Sequence, residues 1–333
     1  MSIKFGNLEI SPPILEAALS GYSDRAMRVL AMRFGCPFTL SSVFLDRFVL
    51  DVSKRGKAAK YLAVNEEDHP CGAQLMGSEP GEFVAAAKRL VDFGFDLIDL
   101  NFACPVKKVL GRARGGSLLA DVPRALAIAE SVRCALPDTI PVTVKLRKGF
   151  DDSPESREKF FALLDGLLDL GISGATLHGR TVLERYTGFA DWDFIAEVKR
   201  RLIDRGRGDF ALLGSGDLFS AEICRKRKEE SGVDGLALAR GVVGNPWLFR
   251  EAAAALTGQP IPSPPSLAEQ RDAMLLHWQM AEALYGAKKA AAAMRKFLLR
   301  YALRHPTPEK VQKEFLTLDG SDSLERILSQ YYD

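Results

Sequence analysis

The sequence predicts an α/β fold, a (β/α)8 TIM barrel followed by a small all-helical C-terminal domain. Short apolar runs alternate with amphipathic stretches over about 250 residues, the usual length of such a barrel. Polar residues end most of the apolar runs, and a proline-rich segment then separates them from a region with helical patterns alone. We therefore expect one barrel with a site at its rim, and helices packed beside it.

Eight runs rich in β-forming or small residues have the length of buried strands. They are residues 14–18, 38–43, 72–76, 97–101, 142–146, 174–178, 210–215 and 235–240. Amphipathic stretches with helical spacing lie between several of them, at 83–93, 124–135, 156–170 and 191–202. A doubly wound sheet is the alternative, but the glycine turn that a dinucleotide site needs is incomplete at Gly214-Ser215-Gly216.

The chain changes character after residue 256. Residues 257–266 hold four prolines and are predicted to be a linker between a barrel at 1–256 and a helical domain at 267–333. Helices are predicted at 267–285, 287–303, 308–316 and 323–331. Within the second, helical spacing puts Lys289, Lys296, Arg300 and Arg304 on one stripe. This stripe predicts a face for a polyanion, although a solvated basic face would look the same.

Composition narrows the class of protein. The 333 residues carry a net charge of only +2, and no apolar run reaches the length of a membrane span. No secretory signal is visible at the N-terminus. The five cysteines are odd in number, widely spaced and without a C-x-x-C pair, which argues against a disulfide framework and against a zinc site. We expect a protein of the reducing cytoplasm that needs no metal.

Two further features point to a site. Gln74, Asn101, Lys145, His178, Ser215 and Arg240 end six of the predicted strands, and the C-terminal ends of barrel strands are where chemistry takes place. Residues 100–120 also contain Lys107, Lys108, Arg112 and Arg114 without any acidic residue. Within this basic segment, Pro105 must turn the chain after a strand and would project Cys104 over the barrel mouth.

The segment Asn101-Phe102-Ala103-Cys104-Pro105-Val106-Lys107-Lys108-Val109 resembles the N-x-G-C-P-x-K-K-V motif of the tRNA-dihydrouridine synthase family. Six further segments resemble family motifs in the same order along roughly residues 10–305. They are Ser20-Gly21-Tyr22-Ser23-Asp24, residues 73–80, residues 142–149, Leu177-His178-Gly179-Arg180-Thr181 with Tyr186, Gly214-Ser215-Gly216-Asp217, and residues 239–247. The run from Met294 to Tyr301, with the Cys104 loop, favours the bacterial B-type subfamily.

The resemblance implies an FMN enzyme that uses NADPH to reduce the C5=C6 bond of a uridine in tRNA. The flavin would give a hydride to C6 and Cys104 a proton to C5. The expected flavin-binding residues are Ala18, Leu19, Ser20, Gln74, Lys145, His178, Ser215, Gly216, Asp217, Ala239 and Arg240. The expected tRNA contacts are Asn101, Lys107, Lys108, Arg112, Arg114, Arg180, Lys289, Arg295, Lys296 and Arg300. A monomer without a protein partner is expected.

Physical reasoning supports several of these roles. A fixed cation such as Lys145 would stabilise the negative charge of a reduced flavin, and Gln74 can both donate to and accept from its polar edge. The loops after the seventh and eighth strands, with Ser215 and Arg240, suit a phosphate. A proton donor must be a neutral thiol, so Cys104 should not have the low pKa of a nucleophilic cysteine.

Some positions depart from the family pattern. Ala18 stands in place of a usual proline, Ala103 and Ala239 in place of glycines, and Glu184 in place of a glutamine. Two other functions are compatible with parts of the sequence. One is an FMN-dependent reductase of a small pyrimidine or enone on the same barrel, and the other is a non-catalytic RNA-binding protein.

Overall fold

A computed structural model of the chain describes residues 2–53, 56 and 58–333. Eight parallel strands form a closed barrel, as predicted: β3 (Ile14–Glu16), β4 (Thr39–Leu40), β6 (Cys71–Met76), β7 (Leu97–Asn101), β8 (Val142–Arg147), β9 (Gly174–His178), β10 (Ala211–Ser215) and β11 (Gly235–Leu238). Closure comes from the pairing of β3 with both β11 and β4, and of β4 with β6. The two-residue β5 (Phe44–Leu45) pairs with the last two residues of β6.

Two strands outside the barrel form an antiparallel hairpin, β1 (Ile3–Phe5) and β2 (Leu8–Ile10). Its apolar side chains Ile3, Phe5 and Ile10 belong to the same buried cluster as the side chains inside the barrel, which include Leu15 and Leu213. The hairpin therefore closes the end of the barrel at which the strands begin.

Helices surround the barrel and continue beyond it. They are α1 (Arg25–Arg33), α2 (Asp46–Asp51), α3 (Pro80–Asp92), α4 (Lys107–Leu110), α5 (Val122–Ala135), α6 (Pro154–Asp169), α7 (Trp192–Asp204), α8 (Ala221–Ser231), α9 (Trp247–Leu256), α10 (Leu267–Tyr285), α11 (Ala287–Tyr301), α12 (Pro308–Leu316) and α13 (Ser321–Tyr332). A large apolar cluster fills the space between barrel and helices. In the described part of the chain, no helix has the length and apolarity that a membrane crossing requires.

Local chemistry explains where these helices begin. The side chains of Asp121, Ser153, Asp191 and Ser220 each accept a hydrogen bond from a backbone N–H in the first turn of the helix that follows. The strands are almost wholly apolar because both faces of a parallel sheet are buried. Where the predicted strands 14–18 and 235–240 ran too long, the chain leaves the sheet early and its last residues line the barrel mouth.

The C-terminal helices are fastened to the loop that follows β3. The Tyr285 hydroxyl donates to the carboxylate of Asp24 over 2.6 Å, and Lys296 Nζ donates to the Gly21 carbonyl. The Tyr22 ring meets the Phe297 ring edge to face at 5.5 Å. Helices α10 and α11 thus pack against the barrel rim.

Candidate active site

One cleft opens at the barrel mouth, where the strands end. It encloses about 970 Å³, including the solvent at its mouth. Every residue expected to bind the flavin lines it: Ala18, Leu19, Ser20, Gln74, Lys145, His178, Ser215, Gly216, Asp217, Ala239 and Arg240. Asn101 and Cys104 line it too. The strand-end residues therefore converge on one site.

Lys145 is an unpaired cation within this cleft. Its Nζ is enclosed and has no hydrogen-bond partner among the described residues. Burial, and then the neighbouring Arg147, lower the pKa of Lys145 to about 7, while Asp99 opposes this. An enclosed amino group without a partner is costly, so the site suits a ligand that brings an acceptor or negative charge to Lys145.

A chain of buried hydrogen bonds crosses three neighbouring strands beside Lys145. Asn101 Nδ2 donates to Gln74 Oε1 over 2.6 Å, and Gln74 Nε2 donates to Asp99 over 2.7 Å. Thr143 Oγ1 also donates to Asp99 over 2.7 Å. Although burial raises the pKa of Asp99, the donors Gln74 and Thr143 lower it. The amide of Gln74 is therefore held in one orientation at the cleft wall.

Asn101 also positions the loop that carries Cys104. Its Oδ1 accepts hydrogen bonds from the backbone N–H groups of Ala103, at 3.1 Å, and Cys104, at 3.0 Å. Both ends of this buried amide are thus engaged within the protein. These bonds give Asn101 a positioning role in addition to the RNA contact predicted for it.

The Cys104 thiol is half-buried in the cleft wall. Burial raises its pKa above the usual value, although the Val106 N–H and Arg147 oppose this. The thiol is therefore protonated at neutral pH. Gly115 makes room for it: a Cβ on Gly115 would lie 2.8 Å from Cys104 Cβ, and the backbone φ there is +58°. A larger residue at this position would displace Cys104.

Arg147 fastens the loop after β7 to the loop after β9 beside the cleft. Its guanidinium donates to the carbonyl oxygens of Ala103 over 2.9 Å, Thr181 over 2.8 Å and Arg185 over 2.9 Å. We had not predicted Arg147 as a site residue. It lies two positions after Lys145 on β8, and side chains two apart point to the same face of a strand, so alternation could have identified it.

His178 is a neutral donor at the cleft wall. Burial, followed by the nearby Lys145, Arg147, Arg180 and Arg240, lowers the pKa of His178 to about 2. Its Nδ1 accepts a hydrogen bond from the Arg180 backbone N–H over 3.2 Å. The ring hydrogen therefore resides on Nε2, which is free to donate to a ligand. Four cations around a neutral ring make this part of the cleft attractive to anions.

The loops after β10 and β11 meet closely at this cationic end. Asp217 pairs with Arg180 over 2.8 Å and with Arg240 over 3.0 Å. Burial acts to raise the pKa of Asp217, but Arg180 and the Ala190 N–H lower it overall. A Cβ on Gly241 would lie 2.1 Å from the Leu218 carbonyl oxygen, so only glycine permits this approach of the two loops. Arg240 remains partly exposed at the rim.

Some of the side chains expected to contact tRNA are exposed, and others are buried beside a carboxylate of the protein. Lys107, Lys108, Arg112, Lys289 and Arg300 are exposed. Arg114 and Arg180 are buried, and each faces a carboxylate, Arg114 that of Asp46 at 3.7 Å. Arg114 and Arg180 thus differ from the exposed cations, because a carboxylate of the protein already faces each of them.

The cationic stripe predicted on helix α11 does not form a free face. Lys296 is turned to the Gly21 carbonyl and lies 4.9 Å from the Tyr22 ring centre. Arg304 is half-buried, 5.8 Å from the ring centre of Trp247. Arg295, which lies beside the stripe, donates to the Leu318 carbonyl over 2.8 Å. Lys296, Arg295 and Arg304 thus contact neighbouring parts of the protein, because α11 is packed between the barrel and the last helices.

A small cluster at the opposite end of the barrel involves His69, Cys71 and Asp96. Asp96 accepts from His69 Nδ1 over 2.8 Å and from the Cys71 backbone N–H over 2.7 Å. Burial raises the pKa of the Cys71 thiol to about 12. The hydrogen bonds of Asp96 fasten the loop before β6 to the start of β7.

The chain is similar to known proteins over almost its whole length. The family model described as dihydrouridine synthase (Dus) matches residues 15–329. A probable tRNA-dihydrouridine synthase of Rickettsia typhi is 31% identical over 331 residues, covering 99% of this chain and 97% of the relative. The tRNA-dihydrouridine synthase B of Xanthomonas axonopodis pv. citri is 30% identical over 334 residues, covering 99% and 96%.

Solved structures share the barrel at low sequence identity. Histamine dehydrogenase from Rhizobium sp. 4-9 superimposes with a TM-score of 0.59 at 16% identity, over 84% of this chain and 50% of that protein. The 6-hydroxypseudooxynicotine amine oxidase of Pseudomonas geniculata N1 gives a TM-score of 0.59 at 13% identity, over 83% and 52%. The chain thus spans about half the length of these enzymes, and the likeness concerns the fold.

Proposed function

The chain belongs to the dihydrouridine synthase family, and from that premise we propose that it is an FMN-dependent tRNA-dihydrouridine synthase with Cys104 as its proton donor. NADPH is the proposed reductant. One observation carries the proposal: a thiol kept protonated by burial lines the same cleft as an enclosed, unpartnered Lys145. A reductase of a C=C bond needs these two groups, one to give a proton and one to face a reduced ring.

The residues of the cleft fit a flavin mononucleotide. Lys145 would face the edge of the ring system that carries negative charge after reduction, and its lack of a protein partner supports this. Gln74, fixed by Asp99 and Asn101, would face the polar edge of the ring. His178 Nε2 and Arg240 would meet the phosphate. When bound and reduced, FMN supplies the hydride that adds to C6 of the uracil ring.

Cys104 supplies the other half of the addition. The S–H bond breaks, its proton forms the new C–H bond at C5, and the sulfur keeps the electron pair as a thiolate. Arg147, whose charge acts to lower the pKa of Cys104, stabilises that thiolate until it takes a proton from solvent. Asn101 and Gly115 hold the thiol at the cleft wall throughout.

The tRNA would lie across the cleft on an exposed basic surface. Lys107, Lys108 and Arg112 follow Cys104 on the same loop, and Lys289 and Arg300 lie on helix α11. We propose that helices α10–α13 form an RNA-binding domain. A uridine must leave its stack to reach the cleft, which costs a few kcal/mol, and phosphate contacts to these cations offset that cost. We further propose that the protein acts as a monomer in the cytoplasm.

The test compares wild-type protein with Cys104→Ala on unmodified tRNA with NADPH. We expect the wild type to form dihydrouridine, and the variant to bind as much FMN but to form at least about a hundredfold less product. Flavin content comes from absorbance and product from mass spectrometry of digested tRNA. If the wild type binds FMN and oxidises NADPH but leaves the tRNA unchanged, a small-molecule FMN reductase replaces this proposal.

A further inference from the structure

Phe189 is the most exposed of the large apolar side chains in the described part of the chain. It is 88% exposed, on the loop that joins β9 to α7. The same loop carries Tyr186, which lines the cleft and is 58% exposed. Phe219, on the loop after β10, also lines the cleft and is about half exposed. We call Tyr186, Phe189 and Phe219 the aromatic rim.

The loop that carries Phe189 is held on both sides of it. Arg180 Nε donates to the Thr187 carbonyl over 2.9 Å, and its Nη2 donates to the Gly188 carbonyl over 2.5 Å. The Ala190 N–H donates to Asp217 over 2.8 Å. Phe189 thus stands between Gly188 and Ala190, which are held by the Arg180–Asp217 ion pair. A fixed loop loses little conformational entropy when its exposed ring is covered.

Cations accompany the aromatic rim. The Arg240 guanidinium lies 5.2 Å from the ring centre of Tyr186 and 5.5 Å from that of Phe219. The exposed Arg185 lies on the Phe189 loop itself. Aromatic rings interleaved with arginines beside a cleft are the surface on which the bases and phosphates of single-stranded nucleic acid bind.

We propose that Phe189 stacks on a nucleobase of the substrate RNA next to the uridine that enters the cleft. This inference rests on the proposed function. Extruding a base leaves its former neighbour with one bare face, and proteins that unstack bases often cover such a face with an apolar side chain. Phe189 is neutral, exposed and fixed, so it offers stacking without a charge–charge contact. The exposed Arg185 would hold an adjoining phosphate.

The experiment measures the affinity of the FMN-loaded enzyme for unmodified tRNA at several salt concentrations. The variants are Phe189→Ala, Phe189→Trp and, as a matched control, Ile203→Ala. Ile203 is 57% exposed near the other end of α7, away from the cleft. We expect Phe189→Ala to weaken binding about 5- to 150-fold, the range for loss of one stacked base, and the other two to bind within about twofold of wild type.

The salt dependence separates stacking from a phosphate contact. Loss of a stack leaves the slope of log affinity against log salt unchanged, whereas Lys107→Ala should reduce it by about one. A tRNA with 2-aminopurine next to the target uridine adds a direct readout, because the Phe189 ring should quench its fluorescence in wild type and not in Phe189→Ala.

Several outcomes overturn the inference while the proposed function stands. They are equal tRNA affinity for Phe189→Ala and Ile203→Ala, a changed salt slope in Phe189→Ala, or a wild-type dimer in light scattering that Phe189→Ala abolishes. The last outcome would assign the ring to a second copy of the chain. If the wild type neither binds tRNA nor forms dihydrouridine, the proposed function itself fails.

Discussion

Replacing Lys145 with methionine should stabilise the flavin-free protein while weakening its hold on FMN. Methionine keeps the length of the side chain but removes an enclosed amino group that has no partner. The pKa of Lys145 falls from 10.5 to about 7 on folding. At about 1.4 kcal/mol per pH unit, a charge held there costs about 5 kcal/mol. Water in the open cleft reduces that cost, so we expect the free energy of unfolding of flavin-free Lys145→Met to exceed that of wild type by about 2 kcal/mol.

The stability that Lys145→Met gains over wild type should decrease as the pH rises. Because the pKa of Lys145 is lower in the folded than in the unfolded protein, the unfolded chain binds more protons between about pH 7 and pH 10.5. The wild type therefore recovers stability as the pH rises through this window. The advantage of Lys145→Met is largest below about pH 7 and fades toward pH 10.

Urea unfolding of the flavin-free proteins between about pH 6 and pH 9 measures this effect. Lys199→Met is the matched control, since Lys199 is also buried but has a partner, Asp234, at 2.7 Å. Its free energy of unfolding should fall by about 1–3 kcal/mol, the opposite sign, because Asp234 loses its cation and keeps only the hydrogen bond from the Leu212 N–H. The reasoning is refuted if flavin-free Lys145→Met is less stable than wild type, or if its advantage grows as the pH rises. Saturating FMN should stabilise wild type more than Lys145→Met.

Two further predictions concern the placement of Cys104. Gly115→Ala should lower the free energy of unfolding by about 2–3 kcal/mol in a thermal melt, because its Cβ would meet that of Cys104. Gly21→Ala, which also has a positive φ but open space around it, should lose only about 1 kcal/mol, and an equal loss in both would contradict the steric argument. Asn101→Ala should retain FMN yet form dihydrouridine about a hundredfold more slowly, since the Cys104 loop loses two hydrogen bonds. Asn245→Ala, whose amide oxygen has no partner in the described structure, serves as its control, and comparable rates in the two variants would exclude a positioning role for Asn101.

The barrel could be predicted from sequence because its signal is local and repeated. Most of the predicted strands are short apolar runs with a polar residue near the C-terminal end, and the boundaries of β7 and β9 agree with the prediction at both ends. Helices α1 and α8 were not identified. Helix α8 is nearly all polar after Cys224, so it lacks the apolar stripe on which helix prediction depends.

The interior of the site could be predicted only in part. That Gln74, Lys145 and His178 share a cleft follows from the geometry of any parallel barrel. The hydrogen-bond chain from Asn101 through Gln74 to Asp99 depends on the register of neighbouring strands, which no local pattern encodes.

The basic surface predicted on helix α11 differs from the observed one for a similar reason. Helical spacing placed Lys296 and Arg304 on one stripe but could not tell which side of α11 packs against the barrel. The structure turns Lys296 to the loop after β3 and packs Arg304 near Trp247. Long-range packing, rather than local periodicity, decided which cations remain free.

The hairpin of β1 and β2 covers one end of the barrel and leaves the opposite end, with the cleft, open. Its apolar side chains and those of the strands fill the far end, so in the described part of the chain nothing passes through the barrel axis. A ligand that enters the cleft must therefore leave through the same opening. In the proposed reaction, a nicotinamide and a nucleobase would reach the flavin from the same side, so one would have to leave before the other could bind. The alternation of the two ligands would thus follow from the short β1–β2 hairpin, which lies at the end of the barrel opposite the cleft.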